Sequence, residues 1–209
     1  MRGFDTGWWS FDLGKYRPCD GTYQLYPADG VPPLDEALFD GSFAWLGAKS
    51  APKPSVAVRE LMGDVERLGA RLPAPFVRFM SDTALLAAVP SCTACAWDLS
   101  EEPVASKARP GESTIRFLRD QQDCLFWYLV VGGPDDGKVV CSPIPFDDPE
   151  LDVSDDEVFD NTWIVAPHFE AFVYRFWLEN VLWDLTGDGA KRTPEQQRYL
   201  DFYAKQPRA

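Results

Sequence analysis

Residues 115–131 read IRFLRDQQDCLFWYLVV, and no other stretch limits the possible folds as tightly. Ile115 to Leu118 alternates apolar and polar until its last residue. Arg119 to Asp123 is polar without a helical period, and Cys124 to Val131 is an unbroken apolar run rich in aromatic and β-branched side chains. Two such runs joined by a short polar link are the pattern of a β-hairpin. In the second run both faces are apolar: Cys124, Phe126, Tyr128 and Val130 on one, Leu125, Trp127, Leu129 and Val131 on the other. A strand apolar on both faces belongs in the middle of a sheet, covered from each side. Lys138 to Ser142 reads as a third strand after the turn-rich GGPDDG of 132–137, so a meander of 115–118, 124–131 and 138–142 is expected at the centre.

The remaining chain supplies helices to cover that sheet. Ser55 is a suitable N-cap for a helix to about Leu68, with Val58, Leu61, Met62, Val65 and Leu68 on one stripe and Gly69 closing it. Leu72-Pro73 opens a shorter helix with Phe76, Phe79 and Met80 on one face, and 84–89 is ambiguous between helix and strand. Trp163 to Ala166 reads as a short strand. The helix from Pro167 to about Leu185 is apolar nearly all round, which implies burial on several sides or an interface with a second chain. Thr193, Pro194 and Gln196 form a capping box for a last helix. Residues 1–54 hold paired aromatics (Trp8, Trp9), turn signals and a short strand near Thr22 to Tyr26. They are expected to pack on the domain formed by 55–209, with Ala51-Pro52-Lys53-Pro54 as connector. At 209 residues the chain suits one α+β domain.

Charge narrows the function. The formal net charge is −13, from 33 acids and 20 bases. That argues against nucleic acid, whose phosphates are neutralised by Lys and Arg, and it permits a basic partner or serves solubility alone. No apolar run is long enough for a membrane span. Asp5 and Asp12 replace the basic start and apolar stretch of a signal peptide, so a cytoplasmic location and reduced thiols are expected.

No catalytic motif is present: there is no G-x-S-x-G and no G-x-G-x-x-G, and 41–50 (GSFAWLGAKS) has the wrong glycine spacing and a displaced Lys49 for a phosphate loop. The one histidine, His168, falls at a helix start, which suits a structural or exposed role. Cys92 and Cys95 form a C-x-x-C, open to half a zinc site, a redox pair or plain packing. Cys124 and Cys141 fall in predicted strands, where cysteine is usually a buried apolar residue. No enzyme, metal or cofactor is expected. The sharpest candidate is the acidic run 147–160 (DDPELDVSDDEVFD), with eight acids and no base. It lacks the calcium-loop glycine, and Pro149 with the acids argues against helix or strand. It is either a solvated loop or a docking patch made by Asp147, Asp148, Glu150, Asp152, Asp155, Asp156 and Glu157, with Phe159 and Trp163 as neighbouring aromatic anchors.

Leu68-Gly69-x-x-Leu72-Pro73 after a helix, followed by a short aromatic helix, resembles the SUKH superfamily, which holds yeast cell-wall-assembly regulators and bacterial immunity proteins. Phe117-Leu118-Arg119-Asp120-Gln121-Gln122 with Leu125 to Leu129 is similar to its bacterial branch. So are Ile164-Val165-Ala166 and the helix bearing Phe172, Phe176, Trp177 and Glu179. The likeness covers about residues 55–185; Ser81-Asp82-Thr83 departs from the family's Asn-Gly turn, and the first 50 residues and last helix have no counterpart. The resemblance implies helices packed on a curved, largely antiparallel sheet and no catalysis or cofactor. It also implies a protein-binding role: neutralising a toxin domain, here a basic one and possibly a nuclease, or regulating a signalling or cell-wall protein.

Overall fold

The structure is a computed structural model describing residues 3–47, 52–106, 109, 111–148 and 151–205. Lys49, Ala51, Pro149 and Glu150, named above, lie outside the described residues. Strands β1 (Asp5–Ser10), β2 (Gln24–Pro27), β3 (Ala96–Trp97), β4 (Val104–Ala105), β5 (Ser113–Arg119), β6 (Phe126–Val131), β7 (Val139–Ser142) and β8 (Trp163–Ala166) share one open sheet. Its order is β2-β1-β8-β7-β6-β5-β3, with β4 also pairing β5. Every pair is antiparallel except β1 with β8. Together with the helices this is an α+β fold, and a single domain accounts for it.

The meander is where the hairpin pattern put it. All six residues of β6 are buried, and its alternate side chains enter different clusters. Trp127, Leu129 and Val131 face the large core; Phe126, Tyr128 and Val130 face a smaller one. Cys124, expected inside the strand, is instead exposed in the turn before it, because Asp120 N–H bonds to the Leu125 carbonyl and closes the hairpin ahead of β6. The alternation that failed at Leu118 marks a β-bulge between Arg116 and Leu118. The extra residue lets Ile115, Phe117 and Leu118 all reach the large core.

Four helices close the large core. In α1 (Val56–Arg67) the Ser55 hydroxyl accepts from Val58 N–H, Val58, Leu61 and Val65 are buried, and Gly69 ends the helix at φ +77°. In α2 (Ala74–Met80) Phe76, Phe79 and Met80 point inward. The ambiguous stretch 84–89 is helical, as α3 (Thr83–Ala88), because the Asp82 carboxylate accepts from Ala84 and Leu85 N–H. The aromatic side chains of α5 (Phe169–Asp184) fill the centre, with the Phe117 ring 5.1 Å from Phe169 and 5.2 Å from Phe172 in edge-to-face contacts.

The all-round apolarity of α5 has an intramolecular cause. Its outer side packs against Phe11 and Leu13 of the N-terminal segment. Tyr199, Leu200 and Tyr203 of α6 (Pro194–Ala204) cover it too, and α6 is started by the expected Thr193/Gln196 capping box. At the centre of that layer Glu179 is fully buried and bonded on every side. Arg17 donates to its two oxygens at 2.7 and 2.9 Å, Trp8 at 2.8 Å and Tyr199 at 2.6 Å, with Ser10 in a further short contact. Burial opposes ionisation of Glu179, but the Arg17 charge and these donors outweigh it and hold its pKa down at about 2. Residues 1–54 therefore supply two strands of the sheet and half of a buried ion pair. A second buried acid, Glu170, accepts from Gly41, Phe43 and Trp45 and fixes the 41–45 turn against α5.

Candidate partner-binding surface

The described residues of the acidic run, 147–148 and 151–160, together with Phe146 cover the face of the sheet opposite α5. Phe146 stacks on Tyr128 at 4.2 Å, and the Tyr128 hydroxyl accepts from Phe146 N–H at 3.0 Å. Val153, Val158 and Phe159 pack on the same cluster. The charged segment is thus held by apolar residues spaced within it, and the expectation that it would be neither helix nor strand is corrected. Residues Asp155–Asp160 form helix α4, with Ser154 accepting from Glu157 N–H at 3.2 Å. Asp155, Asp156 and Glu157 sit in its first turn, where unpaired N–H groups and the helix dipole favour negative charge. Buried Val158 ties the helix to the sheet.

The candidate residues divide by environment. Asp152, Asp155, Asp156 and Glu157 stand exposed. Asp147 is drawn inward to an ion pair with Arg116 of β5, and Asp148 is half-buried beside it. Neither aromatic is a free anchor: Phe159 is half-buried in the cover and stacks on Phe4 at 5.0 Å, and Trp163, half-buried in β8, meets Trp9 edge-on at 5.4 Å.

Sequence reading missed a second acidic region. Glu60 and Asp64 on α1 face Glu101 and Glu102 across a cleft of about 650 Å³. Residues 98–102 connect this cleft to the first region. Leu99 to Glu102 line it, while Asp98 pairs with Arg116 at 3.2 Å and Arg119 at 2.8 Å in a neighbouring cleft that also holds Asp147 and Asp148. The signal available was the i,i+4 spacing of Glu60 and Asp64 on the outer side of an amphipathic helix.

The remaining candidates are structural in their contacts. His168 precedes α5 rather than lying within it: Nδ1 accepts from Ala171 N–H at 3.2 Å, and Nε2 lies 3.0 Å from Glu36. The Cys92 thiol is pushed up to about 12 by burial, and burial also raises Cys95 and Cys141, which keeps them protonated and poorly nucleophilic. Cys95 Sγ sits 3.3 Å from the Tyr23 hydroxyl, which also contacts Asp120 at 2.8 Å. Among the described residues no group of three or more His, Cys, Asp or Glu is placed to hold a metal ion, and no helix is long and apolar enough to cross a membrane.

The fold defines an α+β protein whose acidic cover closes one face of a mostly antiparallel sheet. The chain matches no family model, no curated protein and no solved structure.

Proposed function

We propose that the chain is a non-enzymatic protein-binding module of the immunity type, which sequesters a basic toxin domain, such as a nuclease. The observation that carries this reading is the exposed row Asp152, Asp155, Asp156 and Glu157 on a cover anchored to the sheet, in a chain of net charge −13. Like charges held this close repel one another, and a cationic surface would relieve that. Their joint field would orient and accelerate association. The acidic cleft between α1 and residues 98–102 gives a second contact of the same sign. The likeness of residues 55–185 to the SUKH superfamily supports the same class of role. Exposed pairs contribute only ~0.2–1 kcal/mol each, so affinity rests on apolar contacts beside the acids, to which the exposed parts of half-buried Phe159 and Trp163 contribute.

The test is rescue in cells. Co-expressing the chain with a basic toxin domain, should one be encoded beside its gene, should keep the cells alive, and an equally abundant variant lacking the four acids should protect them less. Death in the presence of abundant, folded wild-type chain rejects the immunity reading.

A further inference from the structure

The parallel pair β1/β8 is joined only at Asp5↔Trp163 and Thr6↔Ile164. Beyond that point the strands follow different partners, β1 keeping to β2 through Ser10 and β8 to β7 through Ala166. A cleft of about 320 Å³ lies in the resulting fork, a volume in the range of small-molecule sites. Its walls are apolar, with Trp8 on one side and Ile164 and Val165 on the other. Trp8 is a fixed wall, because its indole N–H is bonded to buried Glu179 at 2.8 Å.

The charged residues lining this cleft are Lys138 and Arg175, both cations, in a chain where acids outnumber bases 33 to 20. Lys138 is already paired with Asp135 at 2.7 Å. Arg175 has only neutral partners among the described residues: the Pro32 carbonyl at 2.8 Å, the Tyr199 hydroxyl at 3.2 Å, and the Trp8 ring at 5.5 Å. A half-buried guanidinium without a counter-ion is a standing electrostatic cost that an incoming anion removes. Its planar array of donors matches a carboxylate. One uncompensated positive charge suits a monoanion rather than a phosphate dianion.

We propose that the β1/β8 fork binds a small monocarboxylate with an apolar body, the carboxylate on Arg175 and the hydrocarbon against Trp8, Ile164 and Val165. This site is separate from the acidic surface and independent of the toxin-binding reading.

Amide spectra of the ¹⁵N-labelled full chain, titrated with 3-phenylpropionate, 3-phenylpropanamide and inorganic phosphate, test it. The acid should shift Gly7, Val165 and Ala166 saturably, with a Kd on the order of 1 mM or tighter. The uncharged amide should bind at least about tenfold more weakly, since it cannot form the charge-assisted pair. Arg175→Met should lose about the same factor. Ala28→Trp, at the exposed rim of the cleft, should block the acid without touching the core. This variant keeps the test valid should Arg175→Met not fold. Absence of saturable shifts up to about 10 mM acid, equal binding of acid and amide, tighter binding of phosphate, or unchanged affinity in folded Arg175→Met would each overturn the proposal.

Discussion

The two faces of β6 are equally apolar and unequally covered. On one side Trp127 and Leu129 join a core closed by four helices and a cluster of interlocking aromatic rings. On the other, Phe126, Tyr128 and Val130 meet Phe4 and the described residues of 144–148 and 151–159, whose one short helix is apolar inward and acidic outward. The first cover is thick, and its outer side carries Glu60 and Asp64 of α1. The second holds its place through a few side chains, Phe146, Val153, Val158 and Phe159, and leaves its charge in water. One strand therefore carries both the stability of the fold and the attachment of its candidate surface.

The largest expected effect breaks the thick side. Phe172→Ala removes a fully buried ring in contact with Phe117, Trp127 and Phe176, and should cost about 3–5 kcal/mol in denaturant unfolding. A loss below 1 kcal/mol would mean this layer is not the core it is taken to be.

Next comes the buried ion pair that fastens the N-terminal segment to α5. Glu179→Gln leaves Arg17 buried without its charge partner and should cost about 3 kcal/mol. The pair also sets a pH dependence. Because the folded pKa of Glu179 lies near 2, below the ordinary 4.5, its contribution is fully present above 4.5 and is lost as pH falls toward 2. Unfolding curves from pH 6 to about 2 should show this acid limb in the wild type and a flatter one in Glu179→Gln.

On the thin side effects should be local. Ser154→Ala removes the α4 cap and should cost about 1 kcal/mol or less. Hydrogen exchange is the sharper measurement: amides of Asp155–Asp160 should speed up, while those of Phe126–Val131 stay the slowest in the chain. Fast exchange in β6 would remove the basis of the comparison.

The smallest effect on stability, and the one most specific to function, comes from replacing Asp152, Asp155, Asp156 and Glu157 by Asn or Gln. Stability should stay within about 1 kcal/mol, because relief of like-charge repulsion offsets the lost interaction with the α4 N-terminus. Association with a basic partner should slow and lose much of its salt dependence, with dissociation nearly unaltered. Unaltered association would make the row plain solvated surface.

What the sequence alone determined was whatever is encoded within a few neighbouring residues. The two-faced strand, the Ser55 and Thr193 caps, the apolar stripe of α1 and the short strand Trp163–Ala166 all rest on periodicity and on hydrogen bonds spanning three or four residues. The break in alternation at Leu118 was visible too, but only the strand register shows that it is a β-bulge. The candidate surface was half legible: its charge was plain, but its helix was not. The decisive terms there are Val158 and Phe146 docking on Tyr128 and its neighbours, contacts with residues far away in the chain. Tertiary structure alone decided that β1 enters beside β8, that Arg17 meets Glu179 across 162 positions, and that Glu60 and Asp64 face Glu101 and Glu102. A charge in sequence does not name its partner. Only the packing that excludes water from Arg17 and Glu179 makes their pairing obligatory.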